Sequence, residues 1–275
     1  NKVAPLVLRA NRRRTNREEL VRRLRSRGIE ARPGIWSPLA VHVHGAASPA
    51  NLTEFREGLC QVQGEASQLI GFLVGPEPGM RTLDMCAAPG GKTTHMAELM
   101  NDSGEVLAYD VSKRGLNRIA NNARRLGLHS IRTSEGDATH PLPSGSEGFD
   151  RVLVDAPCSG LGTLRAHPEI RWRRTQEDLG RLAALQGNIL TQAASRVRPG
   201  GVLVYATCTL SRVENEALVE AFVERHTEFT VEDATSHLPS PARAMTTGHY
   251  FVALPHRHDT DGFFAARIRR VGLEQ

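Results

Sequence analysis

Cysteine is scarce in this 275-residue sequence, and no two cysteines form a C-x-x-C pair. A zinc site or a disulfide framework is therefore not expected, and the composition favours a reducing, cytoplasmic setting. Because His42-x-His44 and His256-x-His258 lack companions at ligand spacing, we predict no metal site. No apolar run approaches the about 18 residues that span a bilayer, so we predict no membrane partner. The four cysteines are Cys60, Cys86, Cys158 and Cys208.

Lysine is also rare at the start of the chain, where arginine takes its place. The first 35 residues hold ten arginines and one lysine against three acidic residues. This segment carries +8 and the whole chain carries +5, so the remaining residues carry −3. Because arginine forks match phosphate oxygens, nucleic acid is a better explanation than a solvated helix face. The consecutive arginines predicted to bind RNA are Arg12, Arg13 and Arg14.

An initial methionine is missing as well, since the sequence begins with Asn1, and no signal peptide is present. We therefore interpret the chain as a fragment or a processed form. Residues 5–10 and 39–44 have the pattern of strands, and residues 16–27 that of a basic helix. These elements predict a small basic α+β module over residues 1–50. A connecting helical segment is predicted over residues 51–75.

Apolar strands alternate with amphipathic helices over residues 76–275. This alternation predicts an α/β domain with a Rossmann-like parallel sheet covered on both faces. Residues 235–260 are predicted to form a loop-rich insertion. The predicted strands cover residues 81–86, 105–111, 130–136, 149–156, 201–208, 228–233 and 262–270. The predicted helices cover residues 91–101, 112–127, 175–197 and 212–226.

The stretch LDMCAAPGGKTTH, residues 83–95, resembles a phosphate-binding loop because it contains Gly91-Lys92-Thr93. A P-loop requires glycine where this chain has Cys86, and Pro89 removes a backbone N–H from the middle of the loop. Such a loop also needs an acid on a neighbouring strand to hold magnesium, and Asp155 is suitably placed. A P-loop-like NTPase therefore stays open as an alternative.

Polar and thiol groups follow the predicted parallel strands at their carboxyl ends, where such sheets bind ligands. Asp110 is placed to accept hydrogen bonds from ribose hydroxyls, and Asp137 from an adenine amino group. Each residue could instead cap a helix or fill the core, but their concentration on neighbouring strand ends favours a site. Acceptors without a phosphate cradle indicate a phosphate-free, cationic nucleoside such as S-adenosyl-L-methionine. The residues are Asp84, Asp110, Asp137, Asp155, Cys158 and Cys208.

Three segments resemble one family: LDMCAAPGGKTTH, VDAPCSGLGTLRAHPEIRW and YATCTLSRVENE. They are similar to the cofactor, fourth and sixth motifs of the Fmu/RsmB/Sun RNA (cytosine-5) methyltransferases, within the NOL/NOP/Sun superfamily. The resemblance covers about residues 60–275, and PLVLRANRRRTNREELVRRL resembles the small module that precedes the catalytic domain there. One departure is Gly64, where members often have an acid in a supporting role. Fmu-type members also carry a NusB-like domain upstream, which this sequence lacks.

The resemblance implies S-adenosyl-L-methionine-dependent methylation of cytosine carbon 5 in RNA, most simply small-subunit ribosomal RNA, through a covalent cysteine–cytosine intermediate. It implies that Cys208 is the nucleophile and that Cys158 assists product release. The residues alone leave this order open, because DNA cytosine methyltransferases use their Pro-Cys cysteine. Asp155 is expected to hydrogen-bond the cytosine edge. The predicted cofactor-binding residues are Cys86, Ala87, Ala88, Pro89, Gly90, Gly91, Lys92, Asp110, Asp137 and Asp155.

The stretch that follows Cys158 has four arginines around Trp172. Phosphate contacts are predicted for Arg165, Arg171 and Arg173, whereas ordinary packing is favoured for Trp172. Lys92 is expected either to act on a thiol or substrate, or to be solvated. We expect a monomer that binds a flipped or single-stranded base. A catalytically silent, RNA-binding assembly factor is the second alternative.

Overall fold

The computed structural model describes residues 5–45, 48–143 and 148–272. Lys2, which belongs to the predicted basic start, lies outside these ranges. Residues 1 and 275, where the first predicted domain begins and the last one ends, also lie outside them. Within the described ranges, no helix combines the length and the apolar character needed to cross a bilayer. The chain forms a small antiparallel sheet followed by a large mixed sheet.

The small sheet has four antiparallel strands with a helix packed on it. Its elements are β1 (Leu6–Ala10), α1 (Arg17–Ser26), β2 (Glu30–Pro33), β3 (Ala40–His44), α2 (Thr53–Arg56) and β4 (Cys60–Val62). The strand order is β2-β3-β1-β4. The α1 helix begins after Asn16, whose side chain accepts a hydrogen bond from the Glu19 N–H. It buries Leu20, Val21 and Leu24 in the apolar core of the small sheet.

The last strand of this sheet comes from the segment predicted to be a connection. Leu8 of β1 lies opposite Val62 of β4, so residues beyond 50 contribute to the small sheet. The helix predicted in the same segment is present as α3 (Glu65–Val74). The division of the chain at residues 50 and 75 stays a prediction.

The large sheet confirms the predicted α/β class, because its five central strands, β5 to β9, are parallel. The strands are β5 (Arg81–Asp84), β6 (Glu105–Asp110), β7 (Ile131–Glu135), β8 (Phe149–Asp155), β9 (Val197–Thr207), β10 (Phe229–Glu232), β11 (Thr246–Thr247), β12 (Tyr250–Ala253) and β13 (Phe263–Arg270). The order is β11-β12-β13-β9-β8-β5-β6-β7, with β10 also paired to β13. The helices are α4 (Gly91–Leu99), α5 (Lys113–Leu126), α6 (Ile170–Arg173), α7 (Gln176–Ala194), α8 (Glu216–Arg225) and α9 (Pro255–His258).

Two apolar layers cover the faces of the large sheet, because successive side chains of a strand point to opposite faces. Val152 and Val154 of β8 pack in the layer that contains α7 and α8. Leu153, between them, packs in the layer that contains α3, α4 and α5. Burial on both faces explains the continuous apolar runs of these strands. With both faces covered, the carboxyl ends of the strands are left for a ligand.

Two predicted elements differ from the structure. The helix predicted to reach residue 197 ends at Ala194, because Val197 pairs with Phe149 and belongs to the sheet. The insertion predicted to be loop-rich contains two strands, and Phe251 of β12 pairs with Ala265 of β13. Pairing with distant segments decides both cases, and local composition does not reveal it.

A buried arginine fixes the small sheet against the large domain. The side chain of Arg9 is fully buried, and its Nη2 lies 2.7 Å from Oε1 of Glu98 on α4. Its Nη1 donates to the Gly91 carbonyl at 2.7 Å and also contacts the Gln63 side chain. A buried cation needs such partners to offset its lost hydration. The first turn of α4 therefore depends on the small sheet for its position.

Candidate active site

The turn that joins β5 to α4 has room only for glycine at one position. Gly90 has a φ of +97°, and a Cβ added there would lie 2.7 Å from Cγ1 of Ile119. Asp110, at the end of β6, accepts hydrogen bonds from the N–H groups of Ala88 and Ser112 at 2.8 and 2.7 Å. These bonds hold the turn beside the ends of β5 and β6.

A cavity of about 450 Å³ opens beside this turn, at the ends of β5, β6 and β8. Three carboxylates line it, and lysine and arginine are absent from its described lining. Such a lining attracts a cation and repels phosphate groups. Half of the ten predicted cofactor-binding residues are in the lining: Cys86, Ala88, Asp110, Asp137 and Asp155.

The other five predicted cofactor-binding residues, Ala87, Pro89, Gly90, Gly91 and Lys92, are not part of that lining. Pro89 lines a separate cavity on the other side of the turn. The N–H of Ala87 bonds to the backbone of β6. The Gly91 carbonyl accepts a hydrogen bond from Arg9 of the small sheet. The turn thus presents Met85, Cys86 and Ala88 to the acidic cavity.

Asp137 of the cavity lining and Asp84 of β5 differ in exposure and in pKa. Asp137 is half exposed, and hydrogen bonds from the backbone N–H and hydroxyl of Thr139 lower its pKa. Asp84 is buried at the end of β5, and burial raises its pKa to about 7 although the Thr93 hydroxyl donates to it at 2.7 Å. Asp137 is therefore an ionised acceptor at the cavity. Asp84 instead accepts a hydrogen bond from Thr93 of α4 and so supports the turn between β5 and α4.

Two thiols meet beside the cavity. Sγ of Cys158 and Sγ of Cys208 are 3.3 Å apart, because β8 and β9 are parallel neighbours that end at the same edge. The hydrogen bond between the thiols lowers the pKa of Cys208, and the same bond raises the pKa of Cys158. Either sulfur can donate this hydrogen bond; these directions of the two pKa values correspond to Cys158 as the donor and Cys208 as the sulfur that ionises first.

An ion pair lies next to the thiols. Nζ of Lys92 is 2.6 Å from Oδ2 of Asp155, and only 10% of the Lys92 side chain is exposed. Nζ also lies 5.0 Å from the centre of the Phe263 ring. The interpretation of Lys92 as a solvated lysine is therefore wrong. Lys92 lowers the pKa of Cys208, whereas the Asp155 carboxylate raises it.

A buried carboxylate connects the two cysteine loops. Oε2 of Glu214 accepts from the Ser159 N–H at 2.8 Å and from Nε2 of Gln186 at 2.9 Å. Its Oε1 accepts from the Ser159 hydroxyl, which also contacts the Thr209 hydroxyl at 2.7 Å. Ser159 follows Cys158 and Thr209 follows Cys208. Glu214 therefore holds the residue after Cys158 directly, and it holds the residue after Cys208 through the Ser159 hydroxyl.

We expect Glu214→Ala to lower the free energy of unfolding by about 3 kcal/mol, because several buried donors lose their acceptor. The thiols should then separate, so the pKa of Cys208 should rise toward its ordinary value. Peptide-resolved alkylation of Cys208 as a function of pH measures that rise. Glu214→Gln keeps a carbonyl acceptor and should behave like the parent protein. An unchanged Cys208 pKa in a folded Glu214→Ala protein would show that the carboxylate only stabilises the fold.

The arginines predicted to bind RNA lie in two places. Arg12, Arg13 and Arg14 are exposed between β1 and α1. Nη1 of Arg13 donates to the Gly127 carbonyl and Nη1 of Arg14 to the Glu57 carbonyl, both at 2.8 Å. Arg13 therefore also holds the small sheet to the end of α5, whereas Arg14 contacts the loop before β4.

The second group lies beside the cysteine loops. Arg165 pairs with Asp259 at 2.7 Å, whereas Arg171 and Arg173 are exposed on α6. Trp172 is 86% exposed, so the prediction that it packs in the core is wrong. The reason is the shortness of α6, a single turn with no buried residue, which leaves the indole in solvent.

The histidine pairs have local partners. Nε2 of His42 on β3 lies 2.8 Å from Oε2 of Glu65, and Nδ1 of His258 accepts from the Leu254 N–H. Across residues 5–45, 48–143 and 148–272, no group of three or more His, Cys, Asp or Glu is arranged to hold a metal ion.

Sequence reasoning gave no role to Glu214, Gln186 or Arg9, which all help to build the site. Glu214 lies in the quoted stretch YATCTLSRVENE, but its importance depends on which strands are neighbours. In the sequence, Arg9 is one of ten arginines in the first 35 residues and carries no separate prediction. A buried charge inside an apolar strand such as LVLRA was the one available signal for Arg9.

Known proteins resemble the chain over nearly its whole length. Residues 72–269 match the family described as 16S rRNA methyltransferase RsmB/F, and residues 1–49 match an RsmF/B-like, ferredoxin-like domain. A relative from Serratia proteamaculans, named ribosomal RNA small subunit methyltransferase B, is 37% identical over 269 residues, covering 98% of this chain and 60% of that protein. A Synechocystis sp. relative, named "Probable ribosomal RNA small subunit methyltransferase B", is 38% identical over 272 residues, covering 98% and 61%. The chain spans about 60% of these relatives' length.

A solved structure has the same fold. NSun6 from Pyrococcus horikoshii, solved with SFG, is 25% identical to this chain, with a TM-score of 0.86. The similarity covers 98% of this chain and 92% of that one. It confirms the predicted methyltransferase type of sheet with a small preceding module. Because the family match extends over most of the sequence, the chain belongs to the 16S rRNA methyltransferase RsmB/F family.

Proposed function

We propose that this chain transfers a methyl group from S-adenosyl-L-methionine to carbon 5 of a cytosine in RNA. The observation that carries the proposal is the pair of sulfur atoms, Cys158 and Cys208, 3.3 Å apart beside an acidic cavity. Carbon 5 becomes reactive only when a nucleophile adds at carbon 6, and its proton must later be removed. Two thiols at one cleft can supply both functions.

The acidic cavity suits the proposed cofactor. The two backbone N–H groups that fix Asp110 leave lone pairs of its carboxylate for ribose hydroxyls. Asp137 is exposed for an adenine amino group, and about 450 Å³ is in the usual range for ligand pockets. SFG, bound in the Pyrococcus horikoshii structure, is an analogue of S-adenosyl-L-methionine. When bound, the cofactor supplies a methyl group on a positively charged sulfur.

Addition at carbon 6 is the first step assigned to Cys208. Its thiolate, favoured by Lys92 and by the Cys158 thiol, forms a bond to carbon 6 of the cytosine. Asp155 holds the polar edge of the ring by a hydrogen bond while electrons move toward carbon 5. Carbon 5 would then accept the methyl group that the cofactor, held at the cavity by Asp110 and Asp137, would supply.

Release of the product is assigned to Cys158. The largest cause of its raised pKa is the hydrogen bond to Cys208. When Cys208 becomes a thioether, that cause is removed and burial remains as the cause that raises the pKa of Cys158, so its proton passes to water more readily than before. The Cys158 thiolate then takes the proton from carbon 5, the carbon–sulfur bond at carbon 6 breaks, and Cys208 leaves as a thiolate.

Small-subunit ribosomal RNA is the substrate that we propose, because the curated relatives are named for it. Residues 1–50 form the proposed basic RNA-binding module, residues 51–75 a connection and residues 76–275 the catalytic domain. We assign the protein to the cytoplasm as a monomer. The proposed phosphate contacts are Arg12, Arg13, Arg14, Arg165, Arg171 and Arg173.

Titration with S-adenosyl-L-methionine is expected to show binding in the micromolar range, measured by calorimetry. Asp110→Ala should weaken it about 10- to 100-fold, because charge-assisted hydrogen bonds are lost. Glu224→Ala is the control, since Glu224 is an exposed acid of α8 outside the cavity lining. ATP–magnesium should not bind.

Two other results would each favour an alternative. Binding of ATP–magnesium without S-adenosyl-L-methionine would indicate a P-loop-like NTPase. A protein that binds the cofactor but transfers no methyl group to ribosomal RNA, as measured by bisulfite sequencing, would be a catalytically silent assembly factor. Bisulfite sequencing of ribosomal RNA from a deletion strain identifies the target cytosine.

A further inference from the structure

The short helix α6 is attached to the loop that carries Cys158. Nε of Arg174 donates to the Ser159 carbonyl at 3.2 Å. Gly160, with a φ of +75°, faces Ile170, and a Cβ added there would lie 3.0 Å from the Ile170 Cδ1. The start of α7 at Thr175 has its own cap, a reciprocal pair of hydrogen bonds with Asp178. The α6 turn is thus held between the cysteine loop and a well-anchored helix.

The indole of Trp172 projects from this turn into solvent. At 86%, it is the most exposed of the large apolar side chains described. The other tryptophan, Trp36, is partly buried, and its Nε1 donates to the His258 carbonyl at 2.8 Å. Tryptophan is enriched at interaction surfaces because its ring is apolar and its N–H is polar. Because α6 is attached to the loop that carries Cys158, this surface belongs to the same region as the thiols.

The charges around Trp172 are complementary to a phosphate backbone. Arg171, Arg173 and Arg174 are exposed around it, and Arg165 lies at the start of the same segment. Glu169 is the one acid in the segment from 165 to 174, and it lies 3.5 Å from Nδ1 of His167. Arginines that contact phosphates, with an aromatic ring between them, form the usual platform for single-stranded nucleic acid.

We propose that Trp172 stacks on an unpaired RNA base adjacent to the cytosine whose carbon 6 faces Cys208. This inference depends on the proposed RNA substrate. A cytosine that leaves its stack to reach a thiol exposes the face of its neighbour. An exposed indole on the turn that is attached to the Cys158 loop can replace the lost stacking partner. The ring would therefore favour the extruded state of the substrate and bind single strands better than duplexes.

The first test uses kinetics of the whole chain with its RNA substrate. Since stacking on an aromatic ring contributes roughly 1–3 kcal/mol per base, Trp172→Ala should raise the KM for RNA about 5- to 150-fold. Its kcat at saturating RNA and its affinity for S-adenosyl-L-methionine should stay near those of the parent. Trp172→Phe should restore most of the affinity. As a matched control, Arg173→Ala should weaken binding in a salt-dependent way.

The second test does not require catalysis. A short single-stranded oligoribonucleotide that contains cytosines should quench tryptophan emission, and Trp172→Phe should remove most of that quenching. The same strand annealed to its complement should quench less. Since Trp36 is the only other tryptophan in the sequence, Trp36→Phe should leave the quenching in place.

Three results would overturn the proposal. The first is a KM for RNA in Trp172→Ala that stays within twofold of the parent. The second is equal quenching of tryptophan emission by duplex and by single strand. The third is a loss of affinity for S-adenosyl-L-methionine in Trp172→Ala. Failure of the proposed function looks different, because the parent protein itself would then transfer no methyl group to RNA.

Discussion

Replacement of Cys208 by alanine is expected to abolish methyl transfer, whereas replacement of Cys158 by alanine is expected to trap RNA on the protein. Without the Cys208 sulfur, carbon 6 has no nucleophile and carbon 5 stays unreactive. Without the Cys158 sulfur, addition and methyl transfer proceed, but no thiolate takes the proton from carbon 5. The adduct between Cys208 and the methylated cytosine then cannot collapse.

Denaturing gel electrophoresis with labelled RNA measures the trapped species, and mass spectrometry of the nuclease-treated adduct identifies the modified cysteine. Cys60→Ala is the matched control, because Cys60 is buried in the small sheet and is not part of the cavity lining. It should leave both transfer and release unchanged. If Cys208→Ala instead traps RNA and Cys158→Ala shows no transfer, the roles of the two sulfurs are reversed, although the proposed function stands.

The pH dependence adds a second signature to the same pair of variants. The hydrogen bond from the Cys158 thiol stabilises the Cys208 thiolate and so lowers the pKa of Cys208. Cys158→Ala removes this donor, so the pKa of Cys208 should rise. Formation of the adduct should therefore shift to higher pH in that variant. A shift to lower pH would mean that Cys208 donates the hydrogen bond.

The polar groups at the strand ends could be predicted from the sequence because their positions follow from strand length and direction alone. Asp110, Asp155, Cys158 and Cys208 each end or follow an apolar run, and parallel strands bring such positions to one edge. The 3.3 Å between the sulfurs could not be predicted, because it requires that β8 and β9 are neighbours.

Contacts between distant segments explain what the sequence did not reveal. The role of Glu214 could not be predicted from the sequence, because its hydrogen-bond partners lie 55 and 28 residues away. The exposure of Trp172 was predicted wrongly, because an indole more often lies in a core and nothing local showed that α6 is a single turn. The strand β4 was missed for the same reason, since three residues have no clear periodicity and pair only through β1.

Asp155→Asn is expected to slow methyl transfer about 10²- to 10⁴-fold at saturating cofactor, the usual effect of a lost acid–base or polarising group. The amide still accepts a hydrogen bond from Lys92, so the fold should be retained, and thermal unfolding checks this. The same change removes a carboxylate that raises the pKa of Cys208. The Cys208 thiol should therefore ionise at lower pH than in the parent.

These two effects separate the possible roles of Asp155. If the carboxylate acted only on the thiol, the variant would have more thiolate and would transfer methyl groups at least as well, with an optimum at lower pH. If it holds the ring edge of the cytosine, transfer falls although alkylation of Cys208 becomes easier. Lys92→Met is the matched control, because loss of the cation should raise the pKa of Cys208. We expect Asp155→Asn to transfer methyl groups slowly although its Cys208 is readily alkylated. That result would indicate that the Asp155 carboxylate hydrogen-bonds the cytosine.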